Sequence, residues 1–492
     1  MDYTRNFFSV VCLFLVFSCS CVSLAAASDE NNTLSDMISP ELKNKLVSQN
    51  PVNPQPVPNE ADEPFIKMLQ DGGFTVQQGT IEKVDFIRLA ELGIFPDAEG
   101  NNAANPYFCY VMPPAPGQTI ESDKAFPNGF SRSIRIMPDE AVVMIGQTPP
   151  ECKFFSYPTD ITYRTFDGVR TWIFGGIGDT INIGTINAGD GNGEVFDQPV
   201  MIIYSPDNSV AEKVKSLAIS AGYPETMINI AQIPPPQLNL GLEEDDDAVA
   251  FGMRAAVFAD PDAEEKYMKD VYTVTRAYRL TPDGTATPDP FPVSNLRVRG
   301  TGESEFYLYH PVQKLRQAII DAYPDYTWEE LDTDILFPET NQQIQNAKNA
   351  VGENRDASYL GSENFTLGMD QFAISYGVNH MATGKGVYSN VNAYGTKMLN
   401  GVCSVDSTKF DGSVERYLGD DPNNPMLYAI TITRNNSTEP FTMIVPEGPN
   451  LYGIPLEDEM LIGWRTYMEP GTNVGPAYPE LLFDKVIVFT PK

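Results

Sequence analysis

The chain has 492 residues, 42% of them apolar, with 66 Asp and Glu against 33 Lys and Arg and a formal charge of −33. The apolar share is enough to bury a core over more than one domain, and the charge repels nucleic acid and anionic lipid, so no nucleic-acid partner is expected. Only two histidines occur, and only three cysteines follow residue 27. This excludes the usual structural zinc sets and any disulfide framework, and no metal or other cofactor is expected.

Residues 1–27 read as an export signal. Arg5 precedes an apolar stretch from Phe7 to Phe17, and Ala25-Ala26-Ala27 supplies small residues for cleavage. At ~1.5 Å per residue that stretch covers about half of the ~30 Å bilayer core, too little to span it. The later apolar run Ala248–Ala259 is interrupted by Arg254. The expected product is secreted or attached to the cell envelope, with no transmembrane span once the signal is removed, and lipidation at Cys19 is the alternative to soluble release. Residues 28–63, with Pro51, Pro54, Pro56 and Pro58, read as an extended, disordered tether.

Residues 64–280 read as a first β-rich unit. A helix-like pattern over Ile81–Leu92 is followed by strand-like runs Tyr107–Met112, Ser133–Met137 and Ala141–Ile145, separated by turn residues. An inserted helix is predicted over 209–222, with Ser209 and Glu212 as a capping box and Gly222 as its stop. It lies between strands Val200–Tyr204 and Met227–Ile233, a β-α-β segment. Residues 281–366 read as a helical connector, with helices over 313–323 and 340–351. Residues 367–492 read as a second β-rich unit.

The two units read as related, which makes the expected fold α+β with an internal duplication. Asp139-Glu140-Ala141-Val142-Val143-Met144-Ile145-Gly146 matches Asp370-Gln371-Phe372-Ala373-Ile374-Ser375-Tyr376-Gly377. Asp167-Gly168-Val169 is set against Asn400-Gly401-Val402. Near the end of each unit an acidic cluster leads to Gly252-Met253-Arg254 and Gly463-Trp464-Arg465. The interval from Ser209 to Arg254 exceeds that from Ser437 to Arg465 by 17 positions, about the length of the inserted helix.

Arg254 and Arg465 are candidate ligand contacts, because a guanidinium at the end of an apolar run needs an anionic or carbonyl partner. His380, Lys385 and Tyr388 are further candidates. They lie in and just after the polar, glycine-containing loop Val378–Gly386, which the first unit does not repeat. Asp190, Asn192, Glu194 and Asp197, within the loop Gly184–Asp197, read as a β-hairpin tip, with calcium as the alternative. Cys109 and Cys152 are the expected disulfide for an oxidising compartment. No Gly-x-Ser-x-Gly elbow occurs, and Gly384-Lys385 lacks the first glycine of a phosphate loop. The leading expectation is therefore a non-catalytic binding or cell-surface protein with an unidentified ligand or surface partner. The alternative is an extracellular hydrolase or isomerase working through carboxylates with Arg465 and His380.

Overall fold

The apolar runs form four sheets of a mixed α+β fold in the computed structural model, which describes residues 56–57, 59–118, 126, 129–284, 287–448 and 450–492. The expected signal (1–27), the tether up to residue 55 and Cys19 lie outside these residues. Twelve strands belong to the N-terminal half: β1 (Phe74–Gln78), β2 (Thr80–Val84), β3 (Tyr107–Val111), β4 (Ala141–Gln147), β5 (Cys152–Tyr157), β6 (Thr159–Phe166), β7 (Val169–Gly176), β8 (Ile181–Asn182), β9 (Pro199–Ser205), β10 (Ile228–Gln232), β11 (Ala248–Phe258) and β12 (Arg276–Pro282). An outer sheet runs β1-β12-β4-β9-β10. An inner sheet runs β2-β3-β11-β5-β8, with the β6-β7 hairpin also paired to β11.

The C-terminal half contains β13 (Tyr326–Leu331), β14 (Thr333–Ile335), β15 (Ala357–Ser362), β16 (Phe372–Val378), β17 (Tyr388–Gly395), β18 (Asn400–Asp406), β19 (Leu427–Thr433), β20 (Thr442–Ile444), β21 (Met460–Tyr467) and β22 (Lys485–Pro491). Its outer sheet runs β13-β22-β16-β19-β20 and its inner sheet β14-β15-β21-β17-β18. In both outer sheets the last two strands are parallel and the other neighbours antiparallel. Phe74 stands opposite Pro282 in one, and Tyr326 opposite Pro491 in the other.

The outer strands read as unbroken apolar runs because both of their faces are covered. On β4, Val142 and Met144 enter the core between outer and inner sheet, while Ala141, Val143 and Ile145 pack under the helices Glu63–Asp71 and Asn208–Ser220. On β16, Ala373 faces inward, and Ile374 and Tyr376 pack towards the helix Tyr309–Asp321. Full burial of each Val, Ile or Met among these contributes about 1.5–3 kcal/mol. The two inner sheets then meet through Phe154, Ala256, Tyr359, Tyr388 and Tyr467. No helix among the described residues is long and apolar enough to cross a membrane.

Several expectations are corrected. The stretch 281–366 is more than a helical connector. Besides the helices Tyr309–Asp321 and Thr340–Gln345 it carries β13, β14 and β15, which pair into the C-terminal sheets. The pattern over Ile81–Leu92 divides into β2 and a short helix Phe86–Glu91, capped by Asp85. The expected tether ends early, because Asp62 is buried and accepts hydrogen bonds from Arg276, Tyr278 and Tyr223. The inserted helix spans Asn208–Ser220 and is capped by Asp207, whose side chain accepts from the Val210 amide at 2.9 Å, while Ser209 donates to Asp289.

Cys109 and Cys152 are free thiols. Cys109 faces Gly252 on one side of β11 and Cys152 faces Phe258 on the other. Six residues along a strand separate those positions by about 20 Å, whereas a disulfide needs Cα atoms within ~7 Å. Burial pushes the Cys109, Cys152 and Cys403 thiols up to about 12. The match of Asn400-Gly401 with the turn Asp167-Gly168 is also out of register, since Asn400 and Gly401 already belong to β18.

Candidate functional site

Arg254 sits on β11 beside Tyr107 of β3 and Ser156 of β5, and Arg465 sits on β21 beside Tyr359 of β15 and Asn390 of β17. Both arginines are buried, at 4% and 5% exposure. The third strand position is thus occupied alike in each inner sheet, and each arginine has a tyrosine as its first neighbour.

Two loops, absent from the sequence expectations, complete the surroundings. Residues 98–107 read Ala-x-Gly-x-Asn-x-x-x-x-Tyr, and residues 350–359 read the same. In each, the backbone N–H of the asparagine donates to the hydroxyl of the tyrosine five residues on, Asn102 to Tyr107 at 3.0 Å and Asn354 to Tyr359 at 3.3 Å. In each, the glycine and the residue before it have positive φ: 51° and 55° at Glu99 and Gly100, 54° and 66° at Val351 and Gly352. A left-handed non-glycine residue is strained and marks an over-determined backbone. The loops also cross between halves. The first bonds Met398 and Gly401 in the C-terminal half, and the second bonds Ile173, Phe174 and Gly176 in the N-terminal half.

This exchange brings Asp356 from the second loop onto Arg254, in a buried ion pair that also engages Ser156 and Thr180. The first loop brings no carboxylate to Arg465. Arg465 donates instead to the Gly100 carbonyl and, at 3.2 Å, to the Tyr467 hydroxyl, with Phe337, Tyr359 and Tyr394 rings around it. Its Nε has no hydrogen-bond partner among the described residues. Burial pushes the Tyr467 phenol up, but Arg465 and Arg254 outweigh it and hold the phenol below its usual range.

Both arginines open onto one cavity of about 90 Å³ between the halves. Phe86, Phe95, Trp172 and Phe174 form a connected aromatic wall, with neighbouring ring centroids 5.2–5.8 Å apart. Glu99 lies on this wall with its oxygens occupied by Trp172 Nε1 at 2.6 Å and Asn349 Nδ2 at 2.9 Å. Arg132, on the rim, pairs with Glu82 at 2.6 Å. Asp160 enters from β6 and accepts from Asn354 Nδ2 at 3.1 Å. Burial raises the Asp160 carboxyl to about 7, against the pull of Arg254 and the Asn354 hydrogen bond. A space of this size has room for a small molecule.

Of the sequence candidates, Arg254 and Arg465 are brought together here and Tyr388 lies close behind. Tyr388 stacks on Tyr467, with centroids 4.4 Å apart, and its hydroxyl meets Asn102 and Asn105 of the first loop. His380 and Lys385 are placed elsewhere. His380 is buried between Glu305, 2.8 Å from Nδ1, and Asp484, 3.2 Å from Nε2. Burial pulls its pKa down, but the two carboxylates outweigh burial and raise it to about 10, so the ring is cationic at neutral pH. Lys385 is held by Glu469 at 2.8 Å and Glu480 at 2.5 Å.

The residues of the calcium alternative bond their own backbone. Asp190 accepts from the Asn192 amide, Asn192 from the Glu194 amide, and Glu194 from the Val195 and Phe196 amides. Asp197 accepts through its carbonyl from Gln147. The segment is a loop joining β8 to β9, which lie in different sheets, rather than a hairpin tip.

No protein-family model and no curated protein sequence matches the chain. Among solved structures, an uncharacterized protein from Burkholderia cenocepacia aligns over 92% of this chain and 95% of its own, at 12% identity and a TM-score of 0.37. The VPA0106 protein from Vibrio parahaemolyticus aligns over 82% of this chain and 94% of its own, at 11% identity and a TM-score of 0.35.

Proposed function

We propose that this is an exported, non-catalytic binding protein that holds a small anionic ligand in the cavity beside Arg465. The observation that carries the reading is Arg465 itself, a guanidinium nearly sealed from water, with neither a carboxylate nor an Nε partner among the described residues, on the wall of that cavity. Burying an ion costs several kcal/mol unless a counter-charge offsets it. A carboxylate, phosphate or sulfate arriving through the cavity supplies one, and guanidinium geometry favours such oxyanions. The aromatic wall suits an apolar ligand body. Export rests on the Phe7–Phe17 segment and the small residues after it.

The alternative of a hydrolase or isomerase built on Arg465 and His380 is disfavoured, since both ring nitrogens of His380 are occupied by carboxylates away from the cavity walls. The two halves, on this reading, descend from one duplicated unit. Support comes from the common strand order, the matching places of Arg254 and Arg465, and the repeated Ala-x-Gly-x-Asn-x-x-x-x-Tyr loops. The test is calorimetric titration of the mature protein with short-chain and aromatic monocarboxylates, phosphate and sulfate. Saturable binding is expected, weakened at least tenfold by Arg465→Met. Absence of binding by all of these anions, or equal binding by the variant, overturns the proposal.

A further inference from the structure

The cavity holds a second unmatched charge, opposite in sign to the first. Asp160 is 7% exposed, and of its two oxygens only Oδ1 receives a hydrogen bond from the described residues, the Asn354 amide. No Lys, Arg or His of the described residues lies within ion-pair distance of it. Arg254, the cation whose field it feels most, is committed to Asp356. Among the charges on the cavity wall, Arg254 is cancelled by Asp356 and Arg132 by Glu82, while Glu99 is held by Trp172 and Asn349. Neutral donors fill the Glu99 oxygens, so the charged groups on the wall left with an unused hydrogen-bonding atom and no ion pair among the described residues are Arg465, at Nε, and Asp160, at Oδ2, which do not pair with each other.

Resting on the reading that the cavity takes an anion, we infer that its occupant is a small zwitterion, an amino-substituted carboxylic acid with an apolar body, whose carboxylate meets Arg465 and whose ammonium meets Asp160. The physical reason is charge balance in a low-dielectric space. A simple carboxylate would answer Arg465 but bring a second negative charge towards Asp160. A simple amine would do the reverse. A zwitterion answers both at once and adds no net charge. The aromatic wall acts in the same direction, because ring faces attract an ammonium group and bury an apolar body. Asn354, which belongs to the loop supplied by the C-terminal half, orients the Asp160 carboxylate and leaves Oδ2 for the ligand.

The experiment is titration calorimetry at pH 8 on the mature protein with probes that share a body but differ in charge. L-leucine is compared with 4-methylpentanoate and 3-methylbutylamine, and L-phenylalanine with 3-phenylpropionate and 2-phenylethylamine. 4-Aminobutyrate and 6-aminohexanoate, set against butyrate and hexanoate, vary the charge spacing. At least one zwitterion is expected to bind ten times more tightly than its acid. Asp160→Asn is expected to bring that zwitterion and its acid within twofold of each other, the zwitterion binding more weakly and the acid more tightly than to the wild type. Acids that bind as tightly as every zwitterion overturn the inference and leave the anion site standing. Failure of every probe, acids included, overturns both. The wild-type comparison decides the matter even where the variant folds poorly.

Discussion

Arg254 and Arg465 occupy matching positions on two inner sheets of the same strand order, yet their surroundings differ in one charge. Arg254 receives Asp356 from the crossing loop; Arg465 receives only the Gly100 carbonyl from the other. The difference continues four residues back along each strand. There Ala250 of β11 faces Asp160, and Leu461 of β21 faces Tyr394. The Tyr394 side chain is 1% exposed and its ring lies over Gly463, where a Cβ would come within 2.6 Å of it. In the N-terminal half the corresponding place is a carboxylate beside open space. Two halves of like strand order are thus filled on one side and hollow on the other. The hollow side borrows its uncancelled cation from the filled one.

The largest effect expected from this contrast is on stability. Arg254→Met leaves Asp356 buried without its counter-charge and should cost about 3–5 kcal/mol. Arg465→Met removes a buried charge that has no carboxylate partner, so it should leave stability unchanged or raise it. Urea unfolding of the two variants measures both. Equal losses would mean that the tyrosines around Arg465 balance it as well as Asp356 balances Arg254, and the asymmetry would have no energetic content.

A second contrast concerns how each outer sheet buries ions. In the N-terminal half Arg279 pairs with Glu140, at 3.0 Å and 2.7 Å, both nearly fully buried. A guanidinium keeps its charge at any ordinary pH. In the C-terminal half the buried cation is His380, whose pKa burial lowers but Glu305 and Asp484 raise to about 10. Its unfolded value is about 6.5. The folded value being the higher, this stabilisation is complete below about pH 6.5 and is lost as pH climbs through about 10. The slope between is at most ~1.4 kcal/mol per pH unit for one proton. Chemical unfolding followed from pH 6 to 10 should show this loss, and His380→Gln should flatten it. An unaltered slope in the variant would place the titrating group elsewhere.

Legibility in the sequence followed physical accessibility of the signal. β4 and β16 could be read because strands covered on both faces are continuous apolar runs, and the Gly-x-Arg triplets within β11 and β21 marked equivalent positions. β13 could not, because it is an edge strand with Trp328, Glu329 and other exposed side chains, and its residues look like linker. His380 and Lys385 read as an open polar loop, since their carboxylate partners lie 75 to 104 residues away along the chain. Asp160 gave no local sign at all. Its importance comes from what it lacks in three dimensions. The repeated loop at 98–107 and 350–359 was present as a pattern, but its irregular backbone has neither a period of 2 nor of 3.6 to draw attention to it.

The smallest expected effect tests the remaining difference between the halves, the crossover of each outer sheet. β9 and β10 are parallel, and a parallel connection ordinarily takes a helix to return the chain to the same sheet end. Asn208–Ser220 does so, covering Val143 and Met201 with Val210, Ala211 and Val214. β19 and β20 are parallel as well, but only residues 434–441 connect them and no helix forms there. The short link works because Arg434, itself buried, satisfies carbonyls at Leu367 and Ile454 and so pins the returning chain. The helix, by contrast, depends on its own first turn. Asp207 accepts from Val210 and also from the Asp289 amide at 2.6 Å, tying the helix start to the chain beyond β12. Asp207→Ala should therefore cost about 1–2 kcal/mol, a loss typical of an N-cap, while Ser209→Ala should cost less because Ser209 only donates to the exposed Asp289 carboxylate. A larger loss from Ser209 than from Asp207, in paired thermal unfolding, would return the cap to the serine that the sequence pattern first suggested.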